Sequence, residues 1–146
     1  MITVRAATVA EILPLRHSVL RPGLPVAAAQ FDGDHEATTR HFAALLPDGA
    51  LVCCASFMTR PWQDAPAYQL RGMATRPDLA RQGLGTRLLD FALGVIVAAS
   101  GPRLVWCNAR LPAVAFYRRL GWTIASPAFD IPGVGPHHAM VCRLLP

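Results

Sequence analysis

Lysine is missing from this 146-residue chain: all 14 basic residues are arginine. That absence excludes the Walker phosphate loop, whose Gly-Lys-Ser/Thr needs a lysine amine on the phosphates. Long apolar runs are missing too. The longest, Phe91 to Ser100, falls well short of the ~20 residues of a membrane span and reads as a buried helix. The opening Met-Ile-Thr-Val-Arg-Ala lacks the charged-then-apolar layout of a signal peptide. The expected location is therefore the cytoplasm, with no membrane partner. The four cysteines form no Cys-x-x-Cys pair and no metal-ligand spacing, so neither a metal site nor a disulfide framework is expected. Cys53 and Cys54 are adjacent and would face opposite sides of a strand, while Cys107 and Cys142 stand alone. All four read as small buried hydrophobes. Acidic residues number only nine, which leaves a net charge of +5. The arginines are scattered, with no basic run and no aromatic–basic interleaving, so nucleic acid is not an expected partner. An anionic small ligand suits the same charge, because a guanidinium donates bidentate hydrogen bonds to phosphate or carboxylate.

What is present is enough apolar residue for a real core, 53% of the chain. One domain over 1–146 is expected, and a chain of this length buries roughly 70% of its extended surface. Ile2 to Ala6 alternates as a first strand, and Thr8 can cap a helix over Val9 to Leu20 that Pro14 should kink or restart. Thr39 to Leu46 and Ala50 to Thr59 read as strands joined across Pro47-Asp48-Gly49, and Tyr68 to Thr75 as another. From Leu84 the spacing Leu84, Leu88, Phe91, Val95 turns helical. Leu104 to Asn108 is a short strand. Pro112 opens a second helix that Gly121 stops, and Trp122 to Ala125 and His138 to Leu144 complete the strands. The fold class is α/β (α+β), built on an open sheet.

The informative stretch is Tyr68 to Leu89: strand, turn, Gly83-Leu84-Gly85, helix. Backbone N–H groups at a helix start have no intrahelical partner, and the dipole leaves partial positive charge there. Glycines let the backbone approach an anion, and Arg81 and Arg87 flank the turn. A phosphate seat and a plain tight turn are both consistent with these residues. The Rossmann pattern fails, because Leu88 occupies its third glycine position.

The run Leu79-Ala-Arg-Gln-Gly-Leu-Gly-Thr-Arg-Leu-Leu89 resembles the pyrophosphate loop of the GNAT acetyltransferase family, Arg/Gln-x-x-Gly-x-Gly/Ala. Ala80 stands where the first Arg or Gln is usual, with Arg81 beside it. Downstream, Ala113-Val-Ala-Phe-Tyr-Arg-Arg-Leu-Gly-Trp122 is similar to the family's Ala-x-x-x-Tyr-x-x-x-Gly-Phe segment. The family's frequent Asn before that segment is replaced by Arg110, with Asn108 two residues earlier. The two matches cover about half the chain.

The resemblance implies a mixed, mostly antiparallel central sheet with helices on both faces and splayed central strands. It also implies acetyl-CoA as cosubstrate. Contacts would come from Met73, Ala74 and Thr75 on the strand, from Arg81, Gln82, Gly83, Leu84, Gly85, Thr86 and Arg87 in the loop, and from Asn108. A backbone N–H at a strand distortion near Met73 or Ala74 would polarise the thioester. Tyr117 would be the general acid that protonates the departing thiolate. The base is open: the strand before the loop offers no carboxylate, and among Glu36, His41, Asp130, His137 and His138 the favoured candidates are His138 or His137. A Gly/Pro-shaped loop over Phe129 to Met140 would deliver them at a strand start. Arg16 and Arg21 would lie on the acceptor side, where a structural role and a substrate carboxylate are both readable. The acceptor would be a primary amine of a small molecule or peptide, attacking directly. The alternative is a catalytically weak acyl-CoA-binding or regulatory domain. Relatives often dimerise, but no residue pattern here decides for a homodimer.

Overall fold

A capping box joins the first two elements, β1 (Thr3–Ala7) and α1 (Val9–Leu20), in the computed structural model, which describes residues 1–144. The Thr8 hydroxyl accepts from the Glu11 N–H at 3.2 Å, while the Thr8 N–H donates to the Glu11 carboxylate at 2.9 Å. Arg5 on β1 clamps the same carboxylate at 2.7 Å. The helix runs through Pro14 as one element, so it does not restart there. Pro14 and Ala10, the residue whose carbonyl it leaves without a helical donor, are both exposed, so water can satisfy that group.

The remaining strands are β2 (Arg40–Leu45), β3 (Leu51–Thr59), β4 (Tyr68–Thr75), β5 (Leu104–Arg110), β6 (Thr123–Ile124), β7 (Phe129–Ile131) and β8 (Gly135–Arg143). They form one eight-stranded sheet in the order β1-β2-β3-β4-β5-β8-β6, with β7 also paired to β8. Every pairing is antiparallel except β4–β5. α1 buries Ile12 and Leu15 on one face of the sheet, against Ala43, Cys54 and Ala74. α2 (Leu84–Ala98) buries Leu88, Leu89, Ala92 and Ile96 on the other, against Phe42, Cys53 and Phe57. Cys53 and Cys54 thus face opposite layers, as their adjacency requires. Cover on both faces explains why β3 is buried from Val52 to Met58 without alternation. Full burial of each large aliphatic side chain here contributes about 1.5–3 kcal/mol.

The site is positioned by the one parallel contact. β4 and β5 pair only at Tyr68–Val105 and Gln69–Trp106, then diverge. Trp106 fixes the joined end by donating its indole N–H to the Arg60 carbonyl at 3.1 Å. After β5, a 3-10 turn (Leu111–Ala113) holding Pro112 leads into α3 (Val114–Arg119). Gly121, at φ +92°, ends that helix as its sequence position predicts. The segment from Phe129 differs from expectation. It is a hairpin in which β7 pairs with β8, closed by the Val134 N–H on the Ile131 carbonyl at 2.9 Å. Both histidines therefore lie inside β8, not at a strand start.

Candidate active site

Between the diverging ends of β4 and β5 lies a cleft of about 320 Å³ that reaches from the α3 face of the sheet to the α1 face. Its geometry starts from a β-bulge. Cys54 opposes Ala74 and Ser56 opposes Arg71, so Gly72 and Met73 together face Ala55 alone. Gly72 sits at φ +65°, and a Cβ there would come within 2.8 Å of the Arg16 Nε and 3.1 Å of the Phe31 ring. Only glycine fits the conformation and the space. The Arg76 N–H bonds the Val52 carbonyl on β3 at 2.8 Å. Strand alternation therefore turns the Thr75 N–H and C=O away from β3, toward the side that β5 has left.

The expected phosphate loop lies beside this bulge. Arg81 and Gly83 both take positive φ, +63° and +81°, and Gly83 is the N-cap of α2 with no side-chain cap. The first helical bond there is the Arg87 N–H to the Gly83 carbonyl at 3.0 Å, which leaves the N–H groups of Leu84, Gly85 and Thr86 without helical partners. Gly85 is where loop, bulge and α3 meet, since a Cβ on it would lie 3.1 Å from Met73 and 3.2 Å from Phe116. Gln82 and Arg81 are exposed at the turn. Arg87 turns back and donates to the Ile2 carbonyl at 3.3 Å. Ala74 is buried against α1, whereas Met73 and Asn108 line the cleft.

Tyr117 also lines the cleft, with its ring between Phe116 and Trp122 at centroid distances of 5.1 Å each. Its hydroxyl makes no hydrogen bond among the described residues. Burial, together with the neighbouring Cys107 and Cys53 thiols, pushes the phenol well above its ordinary pKa. Burial likewise lifts the Cys107 thiol to about 12, so it stays protonated and inert.

The two histidines separate by strand alternation. His137 lines the cleft, stacks on Phe129, and contacts the Gly135 carbonyl through Nδ1 at 2.7 Å. A carbonyl can only accept, so Nδ1 carries the hydrogen and the neutral ring presents the Nε2 lone pair. His138 points to the opposite face, where its Nδ1 meets the Ser126 carbonyl at 2.9 Å. The other candidates are engaged or distant. Glu36 is paired with Arg60 at 3.0 Å, and Asp130 is exposed on β7. His41 is buried between the Ser56 hydroxyl at 2.6 Å and the Asp34 carbonyl at 2.9 Å.

Of the two arginines expected on the acceptor side, Arg16 takes the structural reading, while its partner Asp34 and the neighbours Phe31 and Arg71 are not singled out by the sequence. Arg16 is fully buried and binds both Asp34 oxygens, at 2.7 and 3.0 Å, together with the Ser56 hydroxyl and the Ala29 carbonyl. It is structural. Beside it, Phe31, Arg21 and Arg71 line the α1 side of the cleft. Arg71 follows Gln69 at the two-residue spacing of β4, which could have flagged it as a cleft residue.

Residues 7–122 match the acetyltransferase (GNAT) family. The uncharacterized N-acetyltransferase YitI of Bacillus subtilis is 36% identical over 143 residues, which cover 96% of this chain and 95% of that protein. Escherichia coli ElaA superposes with a TM-score of 0.80 at 18% identity, over 97% of this chain and 99% of that one. An aminoglycoside 6'-N-acetyltransferase solved with coenzyme A gives 0.73 at 13% identity, over 99% and 98% of the two chains. The last two likenesses speak for the fold. With the family match spanning most of the sequence, the chain belongs to the GNAT family and is a GNAT-type N-acetyltransferase.

Proposed function

We propose that this protein transfers an acetyl group from acetyl-CoA to a primary amine of a small molecule or peptide by direct attack. The observation that carries the reading is the cleft itself, a through-sheet gap with unpartnered helix N–H groups beside one mouth and arginines at the other. The residues present suit the cosubstrate. The N–H groups of Leu84, Gly85 and Thr86 would hold its pyrophosphate, and open space around Gly83 lets phosphate approach the backbone. Arg81 and Gln82 would add side-chain contacts, while Ala80 contributes none. Met73, Thr75 and Asn108 would border the pantetheine arm. Acetyl-CoA supplies the thioester carbonyl that the amine nitrogen attacks, forming C–N as C–S breaks.

The chain's own groups then handle two protons. His137, through Nε2, would take the one the amine loses, directly or across a water. Tyr117 would donate to the departing thiolate. Its raised pKa does not disqualify it, because a thiolate born in the same buried cleft is also poorly solvated and binds a proton more tightly. Asn108 and the bulge at Gly72–Met73 would orient the carbonyl between these groups.

Tyr117→Phe tests the assignment. Turnover, followed by thiol release over a panel of polyamines, amino acids, aminoglycosides and peptides, should fall at least tenfold. Acetyl-CoA should still raise the melting temperature as it does in the wild type. Full activity in the variant removes Tyr117 from the mechanism. Tight acetyl-CoA binding without thiol release by the wild type on any amine counts against the transfer reading.

A further inference from the structure

Three guanidinium groups surround one benzene ring on the α1 side of the cleft. Their Cζ atoms lie 4.1 Å (Arg16), 4.3 Å (Arg71) and 5.8 Å (Arg21) from the Phe31 centroid. Asp34 is the one carboxylate built into this cluster, and it is fully used. Each of its oxygens takes a hydrogen bond from Arg16, and Oδ2 also accepts the Phe31 N–H at 2.8 Å. Glu36 and Asp32, the next acids along the chain, are turned to Arg60. Arg71 is half-buried, yet among the described residues it makes no hydrogen bond and no ion pair. Arg21 donates only to its neighbouring carbonyl at Leu20, 2.9 Å away. Among the described residues no aspartate or glutamate lines the cleft, while Arg21, Arg71 and Arg110 all do.

The Arg71 donors open to the cleft and meet no protein acceptor among the described residues, so they are free to take an anion that enters it. Burial and the charge of Arg16, with smaller repulsion from Arg21 and Arg60, pull the pKa of Arg71 down despite Asp34. Of the three cations, the buried Arg16 has its anion in Asp34, whereas Arg71 and Arg21 face the cleft with no carboxylate of their own. The phosphates of acetyl-CoA cannot be that anion, since they belong at the start of α2, beside the other mouth. We infer that Arg71 and Arg21 bind a carboxylate carried by the acceptor, so that the substrates are amines bearing a free acid group within reach of the reacting nitrogen. The inference rests on the acyltransferase reading. It adds that Phe31 stacks Arg71 so that its planar fork faces into the cleft, where a carboxylate can be taken bidentately.

The test uses amino acids paired with their carboxamides as acceptors, in wild type, Arg71→Gln, Arg71→Lys and Arg21→Gln. With acetyl-CoA, wild-type kcat/KM should be at least about tenfold higher for acids than for the matched amides. Arg71→Gln should collapse that ratio to within about twofold, with KM for acetyl-CoA unchanged, and Arg71→Lys should restore part of it. A second readout needs no turnover. N-acetylated amino acids should raise the wild-type melting temperature more than their N-acetyl amides do, and should lose that advantage in Arg71→Gln and Arg21→Gln. Equal treatment of acids and amides in either readout overturns the proposal, whether or not acetyl-CoA binds. So does a preference for succinyl-CoA with neutral amines, which would assign the carboxylate to the acyl group. Loss of acetyl-CoA binding and of thiol release in wild type would instead sink the acyltransferase reading, leaving the melting comparison to decide the arginine site.

Discussion

Asp34 shows how much one side chain can hold. It neutralises the fully buried Arg16, and through Arg16 it ties α1 to Ser56 on β3 and to the loop at Ala29. Asp34→Ala should lower unfolding free energy by about 3–5 kcal/mol in urea titration, because it strands a buried charge. Burial alone would push the Asp34 carboxyl up, but hydrogen bonds from Arg16 and the Phe31 N–H hold it below its ordinary value of 3.8. A depressed carboxyl stabilises the fold above its unfolded pKa, and that contribution disappears as pH falls toward the lower native one. Wild type should thus lose stability below about pH 4 more steeply than Asp34→Asn, measured by urea midpoints from pH 2 to 6. An equal slope in both would detach the pair from acid sensitivity. A structural role for Arg16 was one of two readings of the sequence, but its partner Asp34 was not legible. Tyr117 could be found from a local motif, whereas Arg16 and Asp34 meet across 18 positions with no pattern between them.

At the scale of elements, the bulge in β4 combines several roles at one glycine. Gly72→Ala must place a Cβ where the backbone is left-handed and where Arg16 Nε and Phe31 already stand. The expected cost is about 1–3 kcal/mol of stability, read as a lowered melting temperature. Thiol release should fall further than the stability loss explains, because the same change shifts Met73 and Phe31 in the cleft. Activity kept at the wild-type level at low temperature would show that the bulge is merely architectural. The longer elements were legible: Val9–Leu20, Tyr68–Thr75 and the start of α2 at Leu84 follow from caps, apolar spacing and glycine placement. β7 was not, since three residues flanked by proline and glycine carry too little period to register as a strand. His137 and His138 then differ only in which way a strand residue points. That difference could not be read while the strand's start was misplaced.

Over the whole molecule, sequence motifs pointed to the proposed cofactor end in detail and marked the acceptor end only by Arg16 and Arg21, for a physical reason. A phosphate seat is local, built from consecutive N–H groups. The opposite mouth is assembled from α1, the loop at Phe31, β4 and the β7–β8 hairpin, so its chemistry exists only after folding. The sheet is in effect two antiparallel halves, β1 to β4 and β5 to β8, stitched by two residue pairs. A pantetheine arm lying along β4 would occupy the place of a missing strand, and backbone donors such as the Thr75 N–H would gain a partner. Acetyl-CoA should therefore slow amide exchange at Thr75 and at Leu84 to Thr86 at least tenfold, with little change in β1 and β2. Unchanged exchange at Thr75 under saturation would place the arm elsewhere.

The two-pair seam has a mechanical consequence. A sheet joined at one end and open at the other behaves like a clothes-peg, with Trp106 and Arg60 as its spring end and the jaws at Met73 and Asn108. A ligand filling the jaws would bear on the angle between the halves. Each half carries part of the proposed chemistry, Arg71 on one and His137 on the other. A cosubstrate that fixes the opening would thereby bring the acid-binding and proton-accepting groups to their working separation, giving this enzyme a structural reason to load acetyl-CoA first.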